Sequence, residues 1–412
     1  MMKKTFSIGV FALAVIQAFA QPMTYDRYYN LVAEKNVLYI AEKYNIDKAT
    51  ASIEAAKVFN DPELSVSYGN NQDWDLQMGQ SVELEMSINP DFAGVRRARI
   101  AVDQSERSIT EASVSAYLAN LRLEAAGVWA EAWRLREIQA VLEESVNGMI
   151  QIARSDSLRY AVGDIGRSDA LQSRLEAQTM KGELLKLHAE YLNALEAVSL
   201  FCGGEPVTSI EGELPGIGII PVQSEIIALA ESNRADLKAA ELSKTLSENN
   251  LKLVRASRAF EMGINLGYSH NTEVRNEIAP APRFNGLTVG VSIPLKFSSL
   301  NKGEINAAQS EIRQSEYYLK AARQKVRSEV IQAYNSLMAA DEVKAQYNDS
   351  ILEDAHTILE SRKIGYLKGE SNLIELLSAQ QTYLDVMQAY IEACCNNFVC
   401  KAQLEQACGC SF

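Results

Sequence analysis

The 412-residue sequence predicts a mainly α-helical fold with a small β part, built as a tandem repeat. Three observations predict it. Two long stretches, 91–205 and 295–412, contain no proline and are rich in Ala, Leu, Glu, Gln, Lys and Arg, the strong helix formers. Four short segments outside those stretches, or at their edges, alternate apolar and polar residues. Motifs of the first half recur in the second half at nearly constant offsets.

The helical stretches come first. Apolar residues recur at helical spacing, as at Leu121, Leu123, Ala126, Val128, Trp129 and Leu135. Each stretch is predicted to run as a long helix, a tight tip near Gly163 or Gly369, and a second long helix returning. A helix from Ala93 to about Asp156 would be roughly 95 Å long at about 1.5 Å per residue. Helices of that length usually run as coiled coils. The small residues Ala112, Ser115, Ala119, Ala125 and Ala126 would let neighbours approach closely. Segments 24–59 and 222–258 are also predicted as helices; LVAEKNVLYIAE, from Leu31, aligns with LAESNRADLKAAE, from Leu229, at an offset of 198.

The strands follow from strict alternation, which gives one apolar and one polar face. Leu64, Val66 and Tyr68 alternate with Ser65 and Ser67; Val82, Leu84, Met86 and Ile88 alternate with Glu83, Glu85 and Ser87. Met262, Ile264, Leu266 and Tyr268 alternate with Gly263, Asn265 and Gly267; Leu287, Val289, Val291 and Ile293 alternate with Thr288, Gly290 and Ser292. The polar connectors NNQDWDLQMGQ and NTEVRNEIAPAPRFNG make two hairpins, at about 63–89 and about 261–294.

The repeat ties these elements together. RYAVGDIGRSDAL and GYLKGESNLIELL both read Tyr-x-x-Gly, five residues, an acid, then x-Leu, at an offset of 206. Thus Tyr160, Gly163 and Asp169 answer to Tyr366, Gly369 and Glu375, with tips at about 160–169 and 366–375. Ile88 to Glu106 lies on Ile293 to Glu311 without a gap, and Cys202-Gly203 lies on Cys408-Gly409. Repeat 1 spans 21–203, a linker rich in Gly and Pro spans 204–221, and repeat 2 spans 222–412.

The first 20 residues have the anatomy of a cleavable secretory signal: Lys3 and Lys4, an apolar run, then Ala18-Phe19-Ala20, with cutting before Gln21. No cysteine follows the apolar run, so a lipoprotein anchor is not expected, and no later run approaches the roughly 20 apolar residues of a spanning helix. The formal charge of −13 becomes −15 without Lys3 and Lys4, which argues against nucleic acid and anionic lipid as partners. His188, His270 and His356 are far apart, no HExxH pair, P-loop or nucleophile–base constellation is present, and neither an enzyme nor a cofactor is expected.

Four strands cannot close a transmembrane barrel, which needs at least about eight. An open sheet in lipid leaves unpaired edges, which is costly. A trimer would pool the strands into one 12-stranded barrel, whereas a dimer's eight would leave an interior filled by side chains. A soluble sheet packed on its own helices is the competing reading.

The chain resembles the outer-membrane efflux protein (TolC-like) family over about residues 22–410. The resemblance rests on the tandem repeat, on SINPDFAGVRRARIA and SIPLKFSSLNKGEINAA beside the hairpins, and on the tip patterns YAVGDIGRSDAL and YLKGESNLIELL. It implies a homotrimer whose 12-stranded outer-membrane β-barrel is continued by a periplasmic α-barrel of long helical hairpins. It also implies a passive exit duct, in the outer membrane of a Gram-negative bacterium, docked to a periplasmic adaptor (membrane fusion protein) and an energised inner-membrane transporter.

Within such a duct, Glu83 and Glu85 would line the pore and favour cations. Tyr68, Tyr268 and Trp74 suit membrane-interface positions. Gly163 and Gly369 let the backbone turn at the helix ends. Asp169 and Glu375, near the start of the returning helices, would either form an acidic constriction at the entrance or simply cap those helices. Cys394, Cys395, Cys400, Cys408 and Cys410 crowd into the C-terminus, where disulfides, packing or a soft-metal thiolate site are the open readings. A non-transport coiled-coil protein of the envelope and an exported binding module with helical arms are the alternatives to a duct.

Overall fold

The computed structural model describes residues 22–71, 77–216, 218–259, 261–297, 302–347 and 349–411. The expected signal segment and Trp74 lie outside the described residues. The first half runs α1 (Tyr25–Lys35), α2 (Val37–Lys57), β1 (Glu63–Asn70), β2 (Gln80–Ile88), α3 (Val95–Ala161) and α4 (Arg167–Phe201). The second half runs α5 (Gln223–Asn233), α6 (Ala235–Ser257), β3 (Gly263–Asn271), β4 (Phe284–Ser292), α7 (Gly303–Gln346), α8 (Asp349–Lys368) and α9 (Leu373–Cys408). The 67 residues of α3 make a helix about 100 Å long. No described helix is long and apolar enough to cross a membrane.

Two predicted helices are each two helices, and the reason is the same in both repeats. The segment 24–59 breaks at Asn36, whose backbone is extended (φ −60°, ψ 119°), and 222–258 breaks at Arg234 (φ −64°, ψ 121°). Each breaking residue holds the C-terminal carbonyls of the last helix of its own repeat. Asn36 Nδ2 donates to the Phe201 carbonyl at 3.4 Å, and Arg234 Nη1 donates to the Ala407 carbonyl at 3.3 Å. Orphan carbonyls at a helix end need such partners. The glycine that follows in each repeat, Gly203 or Gly409, has φ +73°. A Cβ on Gly203 would sit 2.4 Å from the Lys35 carbonyl oxygen, and one on Gly409 3.2 Å from the backbone of Asn233. The stretch 295–412 also departs from its prediction, because α7 and α8 replace one long helix.

The four strands form one antiparallel sheet in the order β1-β2-β3-β4. Each hairpin pairs within itself, and β2 pairs with β3, which joins the repeats. The register aligns Leu64, Met86, Leu266 and Val289 in one cross-strand row, and Val66, Leu84, Tyr268 and Leu287 in the next. On the other face it aligns Ser65, Glu85, Gly267 and Thr288, and then Ser67, Glu83, Ser269 and Gly286. The period of two in the sequence is therefore a two-faced sheet.

The described residues divide into two compact units. The first contains 22–36, 122–216 and 339–400. Its core holds Tyr28, Val32, Trp129 and Val198, essentially without exposure. Tyr28 donates its hydroxyl to the Ala125 carbonyl at 3.2 Å and stacks on Trp129 with ring centroids 5.2 Å apart, so its polar end is satisfied where its ring is buried. A further cluster in the same unit packs Leu142, Val146 and Met149 of α3 against Met180 of α4, Leu359 of α8, and Leu376 and Tyr383 of α9. The second unit contains the sheet, within 37–121, 218–338 and 401–411. Ile226, Leu237, Val326, Val330, Leu337 and Leu404 are among its most buried side chains. Each such aliphatic side chain contributes about 1.5–3 kcal/mol.

Candidate functional site

Two places carry the sequence-predicted residues: the polar face of the sheet and the two helical tips. On the sheet, Glu83 and Glu85 of β2 are both exposed and point to the same face, two residues apart. Their cross-strand neighbours are small: Ser65, Gly267 and Thr288 share the row of Glu85, and Ser67, Ser269 and Gly286 share the row of Glu83. Ser67 Oγ lies 3.4 Å from Glu83 Oε2. Both carboxylates are thus flanked by small residues on this face. The opposite face is apolar and exposed: Leu64 is 68% exposed, Leu287 87% and Val289 76%. Tyr68 and Tyr268 sit on this apolar face, and both are exposed.

The first tip joins α3 to α4. Gly163 has φ +81°, its N–H donates to the Tyr160 carbonyl at 3.0 Å, and the Asp164 N–H donates to the Arg159 carbonyl at 2.8 Å. This paired closure is the Schellman arrangement, which needs a residue in the left-handed region. The side chain of Arg159 then reaches forward to Asp164, Nε to Oδ2 at 2.6 Å. Gly166 precedes α4 and offers no side-chain cap. Asp169 stands in the first turn of α4 and accepts a 3.3 Å hydrogen bond from Ser168.

The second tip joins α8 to α9 with the same backbone. Gly369 has φ +79°, its N–H donates to the Tyr366 carbonyl at 3.1 Å, and the Glu370 N–H donates to the Gly365 carbonyl at 2.8 Å. Here, however, Asn372 Oδ1 accepts the Glu375 N–H at 2.9 Å, while Asn372 Nδ2 donates to Glu375 Oε1 at 3.1 Å. Asn372 is thus a side-chain N-cap of α9, with Glu375 held against its amide group. Glu375 Oε2 also pairs with Arg362 Nη1 at 2.8 Å.

Sequence reasoning missed the group that joins the tips. Asp156 of α3 is fully buried, and neither of its carboxylate oxygens has a hydrogen-bond partner among the described residues. Arg159 Nη1 lies 3.9 Å from it. The guanidinium of Arg159 also lies over the Tyr366 ring, 5.5 Å from its centroid. Tyr366 is 5% exposed, and burial pushes its phenol well above the ordinary value. The Asp156 carboxylate beside it adds to that rise, Arg159 opposes it, and Asp169 adds a smaller push upward. The fold thus brings Tyr366 of the second repeat to Arg159 and Asp156 of the first. An acid on an otherwise apolar helix face within one turn of the tip motif was the only signal available in the sequence for Asp156.

At the C-terminus, Cys408 and Cys410 form a disulfide. Cys202, Cys394, Cys395 and Cys400 are free and buried. Burial pushes the Cys395 thiol up to about 12, with Cys394 adding to the rise, and the Cys202 thiol up to about 11, with Glu205 adding. Such thiols stay protonated and behave as small apolar groups. Among the described residues no group of three or more His, Cys, Asp or Glu side chains could hold a metal ion.

Comparison with known proteins places these features in context. Residues 226–409 match the family described as outer membrane efflux protein. The chain is similar to the cobalt-zinc-cadmium resistance protein CzcC of Cupriavidus metallidurans, 22% identical over 377 residues, 90% of this chain and 86% of that protein. Its fold is similar to that of CusC, with a TM-score of 0.72 and 17% identity, covering 94% of this chain and 92% of that one. It is likewise similar to the CmeC outer membrane channel of Campylobacter jejuni, with a TM-score of 0.73 and 15% identity, covering 93% of this chain and 85% of that one. Long helical hairpins with a four-stranded antiparallel sheet are therefore a known architecture, that of TolC-like channels.

Proposed function

We propose that this chain, whose residues 226–409 match the outer membrane efflux protein family and whose fold is similar to that of TolC-like channels, is the exit duct of a tripartite efflux system. It would assemble as a homotrimer, pool its strands into a 12-stranded outer-membrane barrel, and pass small molecules or ions outward without chemistry of its own. A periplasmic adaptor and an inner-membrane transporter would supply docking and energy. The observation that carries this reading is the sheet. One face exposes Leu64, Val66, Leu287 and Val289, while β1 and β4 each pair on one side only among the described residues. Such a face and such edges are liabilities in water, and lipid with two further copies would remove both.

Glu83 and Glu85 then fall on the lumen side and favour cations, six carboxylates in a trimer. The similarity to a cobalt-zinc-cadmium resistance protein supports a metal-cation cargo. The tips would form the periplasmic entrance, with Tyr366, Asp156 and Arg159 holding the two hairpins of each protomer together. In this role Asp169 stands exposed in the first turn of α4, whereas Glu375 serves the start of α9 through Asn372. The test is extraction: the processed chain should leave outer membranes only in detergent, as an SDS-sensitive trimer, and a water-soluble monomer would overturn the reading.

A further inference from the structure

Below the strand ends lies a groove of about 560 Å³ that neither the channel nor the tips explain. One wall is apolar: Val58 and Phe59 before β1, Phe92 after β2, and Met262 and Ile293 at the ends of β3 and β4. Phe59 and Phe92 are 66% and 58% exposed. Ile293 extends the apolar row of Leu287, Val289 and Val291, so the groove is continuous with the apolar face of the sheet. The other wall is cationic, formed by Arg96 and Arg99 of α3.

These cations are out of place by ordinary helix electrostatics. Arg96, Arg97 and Arg99 open α3, and its first turn contains no acid. Cations there oppose the helix dipole. The acids on the groove wall are already committed. Asp91 accepts the backbone N–H groups of Val95 at 2.9 Å and Arg96 at 2.8 Å, so the helix N-terminus is itself capped. Glu261 pairs with Lys296 at 2.7 Å. Arg96 donates one hydrogen bond to the Lys57 carbonyl and lies over the Phe59 ring, 4.1 Å from its centroid, with further donors to spare. Arg99 is exposed and forms no ion pair among the described residues; its nearest counter-charge in the sequence is Asp103, one turn on. The matching place in the second repeat is compensated within the chain, because Glu304 opens α7 and pairs with Arg258 at 2.9 Å.

We propose that this groove seats an anionic glycerophospholipid, with Arg96 and Arg99 on its phosphate and Phe59, Phe92 and Ile293 against its glycerol and acyl carbons. The chemistry is complementary on both walls: guanidinium forks match phosphate oxygens, and exposed aromatics beside an apolar strand face mark a membrane–water boundary. Basic pockets at that level bind anionic headgroups; the two arginines make a local exception to the net negative charge, which over the whole chain argues against anionic lipid. The proposal rests on the membrane placement of the sheet argued above.

The test is native mass spectrometry of the full processed chain released from lipid nanodiscs made of equal phosphatidylglycerol and phosphatidylcholine. The wild-type chain should retain phosphatidylglycerol over phosphatidylcholine by about tenfold. Arg99→Gln should cut that preference by about fivefold with unchanged helical circular dichroism, and Arg99→Lys should restore part of it. Equal retention of the two lipids by the wild type, or a wild-type preference in a folded Arg99→Gln variant, would overturn the proposal. So would displacement of the lipid by millimolar inorganic phosphate, which would make the groove a site for free anions. A chain that never enters the nanodiscs would sink the membrane placement and this proposal together. A chain that enters and conducts ions but shows no lipid preference would sink the proposal alone.

Discussion

Tyr160 and Tyr366 hold the same place in the two copies of the tip motif, yet the first is 46% exposed and the second 5%. Around them the backbones agree: Gly163 and Gly369 have φ +81° and +79°, and both turns close with the same pair of N–H to carbonyl bonds. The side chains do not agree. The buried Asp156 of the first repeat corresponds, at the offset of 206, to Arg362 of the second, which is half exposed and holds Glu375. Gly166, which caps nothing, corresponds to Asn372, which caps through its side chain. Duplication therefore preserved the turn and divided the labour. The second tip secures itself, and the first meets the second through Arg159, whose guanidinium lies over the Tyr366 ring.

This difference can be broken in graded steps. The largest effect is expected from Tyr366→Ala, which should lower the local opening free energy of the tips by about 3 kcal/mol, read by hydrogen exchange of amides near both tips. Tyr160→Ala should change it by less than about 0.5 kcal/mol. Equal effects would erase the asymmetry. Gly163→Ala and Gly369→Ala should each cost about 1–2 kcal/mol and match one another, since nothing lies within 4 Å of either added Cβ and only the backbone conformation is penalised. Unequal costs would show that the turns are not equivalent. Asn372→Ala should cost about 1 kcal/mol by removing the side-chain cap of α9. Glu375→Ala should leave assembly intact; a rise in resting conductance would make it a gate residue, and no rise would leave it as the cap and ion pair described above.

The pH dependence gives a subtler discriminator. The Tyr366 phenol is raised above its unfolded value of about 10, so the folded state holds its proton more tightly. That contribution is fully present below pH about 10 and is lost as pH rises above it. Tyr366→Phe should remove this alkaline loss, whereas Tyr160→Phe should leave it unchanged, as followed by far-ultraviolet circular dichroism.

Much of the architecture was legible because it is periodic. Strand alternation gave the two faces of the sheet, and the offset echoes gave the duplicated hairpins and the two turning glycines. What was not legible depends on single contacts between distant segments. Asn36 and Arg234 share no chemistry beyond donating a hydrogen bond, so nothing in an alignment marks them as the same helix break. The partners of Tyr366 lie on another helix, about 200 residues away, and a tyrosine in a repeated motif carries no sign of which copy is buried. Glu83 and Glu85 stood out because acids in an alternating strand must share one face. Asp156 did not, because burial of a carboxylate is a tertiary outcome.

The most direct measurement of the central reading is single-channel recording of the purified chain in planar bilayers, in a salt gradient, for the wild type and for the Glu83→Gln, Glu85→Gln double variant. A duct with these carboxylates in its lumen gives discrete openings, a cation-selective reversal potential in the wild type, and a potential moved toward zero in the variant. Absence of any conductance from the trimer, or an unchanged reversal potential in the variant, would contradict it.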